Sequence, residues 1–132
     1  MNARYIPVLH GAAGETPDEL ETLTTAEAIR QILVMAGYRT QLVKLSRDMS
    51  ALGTLRDARP DVVFNLVDSI DGDGAAAAYV PGELERLGLA FTGCGSQSSL
   101  SCVSKPTMKR IMRANELPTP DWSMNGKALA HL

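Results

Sequence analysis

Two acidic groups are the residues best placed to do chemistry in this chain. Glu15, Asp18, Glu19 and Glu21 cluster early, and Asp68, Asp71 and Asp73 are set among glycines in DSIDGDG. Clustered carboxylates attract a cation, either a metal ion or the ammonium of an amino acid. The second group fails as a calcium loop, because counting Ser69 as position one puts Val80 where a bidentate glutamate is required. Its plain alternative is an acidic turn kept in solvent. The first group keeps two readings: favourable charge at a helix N-terminus, or a grip on a substrate amine.

Other chemistry is sparse. His10 and His131 are too few for a zinc site, and no serine sits in a nucleophile elbow. Gly93-x-Gly95-x-x-Ser98 has the outline of a dinucleotide turn, but it follows the fourth expected strand and lacks the third glycine, so a turn with a helix cap is preferred. Lys105 and Lys109 stand four apart, which reads as a solvated helix face. Cys94 and Cys102 have no metal-ligand spacing and are expected to be reduced thiols.

The elements that must position these groups follow from apolar spacing. Tyr5 to Leu9 reads as a first strand, ending at a glycine turn. Ile29, Ile32, Leu33 and Ala36 make one apolar face of a helix stopped by Gly37. Tyr38 to Leu45 reads as a second strand, and Leu52 and Leu55 mark a short helix before Pro60. Asp61 to Val67, DVVFNLV, is too short and too β-branched for a helix and reads as a strand covered on both faces. Ala77, Val80, Leu84 and Leu87 form the next helical face, in which Pro81 either begins the regular helix or kinks it. Gly88 ends that helix, Leu89 to Thr92 is expected as a fourth strand, and a small-residue stretch runs on to Ser104. A helix from about Lys105 to Ala114 comes next, then an extended Leu117 to Pro120. From Asp121 to Leu132 the chain has too few apolar residues for another packed element. The alternation predicts an α/β fold, a Rossmann-like doubly wound parallel sheet of about four strands with helices on both faces. The loop at the carboxyl end of DVVFNLV, starting at Asp68, lies where such sheets bind ligands.

Composition narrows the partners. The 132 residues suit one domain. Thirteen basic against fifteen acidic residues give a net charge of -2 with no basic block, which disfavours nucleic acid. No apolar run reaches the roughly 18 residues of a membrane span, and the N-terminus lacks a signal-peptide plan, so a cytoplasmic protein with no membrane partner is expected.

Four segments in order, DELETLTTAEAI (18 to 29), PDVVFNLV (60 to 67), VPGELERLGLAFTG (80 to 93) and SKPTMKRIMRANELPTP (104 to 120), resemble the N-terminal domain of D-alanine–D-alanine ligases and looser relatives among the ATP-grasp carboxylate-amine ligases. The resemblance implies a pre-ATP-grasp domain over residues 1–120. Residues 121–132 are then a linker, or the start of a missing C-terminal ATP-grasp domain. It implies an amino-acid-like substrate held by a carboxylate after the first strand. Counting back from the helix selects Asp18 and Glu19, counting forward from the strand selects Glu15, and the helix anchor is preferred because TLTTAEAI aligns without gaps. Lys105 matches a lysine that reaches ATP phosphates, with Ser104 in place of the preceding aspartate. Val67-Asp68 stands in place of the His-Gly pair of the D-alanine enzymes, which points to the ligase-like branch and makes Asp68 a substrate-side residue. ATP and Mg2+ are implied for a complete enzyme and none for this chain alone, which is expected to be inactive by itself. An apolar patch is expected where the further domain would pack, and a homodimer is one way to cover it. The alternative is a stand-alone α/β module that binds a small molecule or a protein.

Overall fold

The computed structural model describes residues 4–11, 16–124 and 127–128. Three short parallel strands, β1 (Val8–His10), β2 (Leu42–Lys44) and β3 (Phe64–Asn65), pair in the order β2-β1-β3. Leu9 sits opposite Val43 on one side and Asn65 on the other. The helices are α1 (Pro17–Met35), α2 (Ser50–Asp57), α3 (Gly74–Ala77), α4 (Val80–Arg86), α5 (Ser96–Val103) and α6 (Lys105–Ala114). None among the described residues is long and apolar enough to cross a membrane.

The core lies on one side of the sheet. Leu9 and Val63 pack with Leu45, Leu52 and Leu55 around α2, and with Ile70, Val80 and Leu84 around α4. Because side chains alternate along a strand, Val8 and His10 point to the other side, where α1 packs on β1. There Ala26 is fully buried, a residue small enough to let helix and strand approach closely.

Several expectations need correcting. The expected fourth strand, Leu89 to Thr92, makes a single parallel bridge from Phe91 to Val63, with Val63 N donating to Ala90 O at 2.8 Å and Thr92 N donating to Val63 O at 3.0 Å. Left-handed glycines at Gly88 (φ +68°) and Gly93 (φ +105°) bound that run and leave room for one rung. The run Asp61 to Val67 is fully covered only at Val63, since Phe64, Leu66 and Val67 stay half-buried. The expected apolar face of α1 is also incompletely covered: Ile29 and Leu33 are half-buried, while Ala36 and Ile32, the latter at 61%, are exposed. A 19-residue helix is about 28 Å long, whereas a three-residue strand spans about 10 Å, so the C-terminal half of α1 overhangs the sheet.

Pro81 stands in the first turn of α4, after a break at Ala78 and Tyr79 that separates it from α3. The small-residue stretch before Ser104 is a helix, α5, packed between α4 and α6. The segment from Asp121 is not without structure either. Two further short strands, β4 (Ser123–Met124) and β5 (Lys127–Ala128), pair antiparallel. Ahead of them, Trp122 lies against α6 with the Arg113 guanidinium 4.5 Å and the Lys109 ammonium 5.6 Å from its ring centre.

Gly11, just past β1, passes so close to the loop after β3 that a Cβ there would lie 1.9 Å from the Ser69 carbonyl oxygen. Gly53 in α2 has nothing within 4 Å of the equivalent position. Gly11→Ala is therefore expected to destabilise the fold by roughly 1–3 kcal/mol or more, as overpacking against backbone does. Gly53→Ala should stabilise by about 0.5–1 kcal/mol through helix propensity. Urea denaturation of the two variants checks the pair, and equal midpoints would contradict the close approach.

Candidate functional site

Strand β1 has β2 on one side and β3 on the other, so the chain leaves the carboxyl ends of β1 and β3 in opposite directions. That divergence opens the crevice in which parallel α/β sheets place ligands. The first turns of α1 and the loop after β3 line it. Thr16 and Glu19 make a capping box at the start of α1, in which the Thr16 hydroxyl accepts from Glu19 N and the Glu19 carboxylate accepts from Thr16 N, each at 3.3 Å. Glu19 is 9% exposed, whereas its neighbour Asp18 is open to solvent.

One turn on, the Thr22 hydroxyl lies 3.1 Å from the Asp18 carbonyl oxygen and 3.3 Å from Asp68 Oδ2, its single proton shared between them. Ser69 Oγ donates to the other Asp68 oxygen at 3.4 Å. Two adjoining clefts share Asp18, Thr22 and Asp68. One, of about 420 Å3, is completed by Glu21, Thr25 and Leu66. The other, of about 410 Å3, is completed by Thr16, Glu19, Ser69 and Gly72. Asp18, Glu21 and Asp68 have no cationic partner among the described residues. The fold thus brings together Asp18, Glu19 and Asp68, distant in sequence, while Glu15 and His131 lie outside the described residues. Thr22 was missed by sequence reasoning, although its i+4 spacing from Asp18 puts both on one helix face.

Asp71 and Asp73, the rest of the second acidic group, are paired. Arg47 pairs with Asp71 at 3.4 Å and with Asp73 at 3.3 Å, tying the loop after β2 to the acidic turn. Asp73 also caps α3, accepting from Ala75 N at 2.9 Å and Ala76 N at 3.3 Å. No group of three potential metal ligands occurs among the described residues.

The Gly93-x-Gly95 turn is a helix cap whose anion site is filled by the chain itself. Glu85 accepts from Ser96 N at 2.9 Å and from Ser96 Oγ at 2.5 Å, which places a carboxylate where a phosphate would sit. Gly95 permits this, since a Cβ there would stand 2.9 Å from Glu85 Oε1. Lys105, on the first turn of α6, is exposed, makes no hydrogen bond or ion pair among the described residues, and lines neither acidic cleft. Lys109 departs from the expected solvated face: its ammonium donates to Thr119 Oγ1 at 2.9 Å and Pro120 O at 2.8 Å. The glycine turn is thus occupied by Glu85, and Lys105 is not among the residues that hold it.

No protein-family model matches the chain. Curated relatives do. The D-alanine–D-alanine ligase of Synechococcus sp. (strain JA-3-3Ab) is 32% identical over 112 residues, which are 84% of this chain and 34% of that protein. The D-alanine–D-alanine ligase of Sinorhizobium fredii is 30% identical over 121 residues, 92% of this chain and 37% of that protein. Among solved structures, the Bacillus anthracis D-alanine–D-alanine ligase complexed with ATP superposes with a TM-score of 0.74 at 23% identity, covering 97% of this chain and 42% of that one. D-alanyl-alanine synthetase A of Vibrio cholerae gives 0.67 at 19% identity, over 92% and 40%. The chain spans about a third of the length of the curated relatives it matches.

The Glu85 cap carries a pH signature. The Ser96 hydroxyl, and then its amide, hold the Glu85 carboxyl below the ordinary glutamate range. A carboxyl whose pKa is depressed by folding stabilises the fold at neutral pH, and that contribution is lost as pH falls through the lowered value. In an NMR pH titration Glu85 should titrate below the usual value of about 4.3, and Ser96→Ala should move it upward. A Glu85 titration unaffected by Ser96→Ala would contradict the cap.

Proposed function

We propose, from the chain's kinship with D-alanine–D-alanine ligases over about a third of their length, that it is the substrate-binding N-terminal domain of an ATP-dependent carboxylate-amine ligase of the ATP-grasp type. Its sheet is then a doubly wound one whose fourth strand has shrunk to the rung at Phe91. The observation that carries the reading is the set of uncompensated carboxylates at the carboxyl ends of β1 and β3, where Asp18 and Asp68 border both clefts. An ammonium placed there donates charge-assisted hydrogen bonds to the Asp18 and Asp68 carboxylates. Thr22 fixes the Asp68 carboxylate, and Glu19, drawn into the capping box, sets the height at which α1 begins.

In a complete enzyme ATP would activate the substrate carboxylate, with Mg2+ on its phosphates. Lys105 is the group in this chain that would add positive charge to a phosphate. Alone, the domain is inactive, because phosphoryl transfer needs metal ions and several cations placed together around the transferred group.

The amine grip is testable on this chain. Exposed ion pairs contribute roughly 0–1 kcal/mol each, against about 4 kcal/mol for millimolar affinity, so binding should be millimolar or weaker. NMR titration with alanine of either hand should shift the amides of Asp18, Thr22 and Asp68. N-acetylalanine, which lacks the ammonium, should not shift them, and Asp18→Asn with Asp68→Asn should abolish the response. Equal shifts from both ligands, or none from alanine, would overturn the reading.

A further inference from the structure

The helices α5 and α6 bury no residue of their own. Helix α6 packs on α5, and α5 on α4. At the α4–α5 contact a Cβ added at Gly82 would lie 3.5 Å from Ser96 Cβ, and beside it Glu85 holds the Ser96 amide and hydroxyl. Behind α5 the packing opens into a cleft of about 410 Å3, with Asn65, Val67 and Pro81 on the body side and Ser99, Cys102 and Val103 on the α5 side. The segment entering α5 contains Gly93, at φ +105°, and Gly95. Beyond α6, residues 119–122 are fastened back onto that helix by Lys109, which holds Thr119 and Pro120, and by Arg113, which pairs with Asp121 at 2.5 Å and covers Trp122.

We propose that α5, α6 and the 119–122 strap form one rigid lever that swings about Gly93–Gly95 into the cleft behind α5, with the Glu85 carboxylate as the latch that holds it against α4. The lever is rigid because α5 packs on α6 and α6 grips the strap. It can swing because a glycine turn leads into it and a carboxylate fastens it to α4, with open space on its inner side. The strap travels with α6, so the latch sets the direction in which the chain leaves the domain.

Hydrogen exchange tests this on the chain as it stands. Glu85→Ala should speed exchange of the α5 and α6 amides about tenfold, the loss expected for charge-assisted hydrogen bonds. Amides of β1 and α2 should be unchanged. Ser96→Ala, which keeps the amide contact, should act on the same segment more weakly. Fluorescence of Trp122, the one tryptophan in the sequence, should not move in Glu85→Ala, because strap and α6 shift together. Equal acceleration in β1 and α2, no acceleration in α5 and α6, or a red-shifted Trp122 emission would each overturn the lever.

Discussion

The structure depends on a backbone contact that a single methyl group would abolish. Gly11 follows the last residue of β1, and the Ser69 carbonyl fills the space where its side chain would be. Because the two loops touch, the first turns of α1 and the Asp68 loop face each other across a crevice, and Thr22 can reach Asp68. The short sheet makes the contact important. With strands of two or three residues, the ladder alone fixes little of the loop geometry, and the close approach at Gly11 supplies the rest.

The carboxylates named above differ in what engages them. Asp71 and Asp73 have Arg47, Glu85 has the amide and hydroxyl of Ser96, and Glu19 has the amide of Thr16. Each of these carboxylates holds the fold together. Asp18, Glu21 and Asp68 have no cationic partner among the described residues, and they converge on one crevice. Uncompensated charge of one sign at a ligand-binding position raises the local concentration of the opposite charge, which here means a cation such as an ammonium. The same sorting removes the glycine turn after the fourth strand as an anion site, since Glu85 already fills it.

How much could be read from the sequence differs between elements for physical reasons. Helix α6 was legible from Lys105 to Ala114 because a proline after its first residue and amphipathic spacing define it locally. Helix α5 was not, since SQSSLSCV has weak propensity and is held by Glu85, eleven residues upstream of Ser96. The carboxylates of the candidate site were named from their position after strands, but their convergence rests on the strand order and on Gly11, which local patterns do not encode. Arg47 gave no signal, as an isolated arginine in a loop reads like any surface charge. The resemblance to D-alanine–D-alanine ligases supplied what periodicity could not, and the curated relatives uphold it over most of the chain.

The central claim is that this chain supplies the substrate side of a ligase site and not its nucleotide side. Calorimetric titration of the 132-residue chain with Mg-ATP tests it most directly. One exposed lysine contributes roughly 0–1 kcal/mol, against about 4 kcal/mol for millimolar affinity, so the account predicts no binding tighter than millimolar. Micromolar affinity that disappears in Lys105→Ala would contradict it, because a complete phosphate site would then exist within these residues.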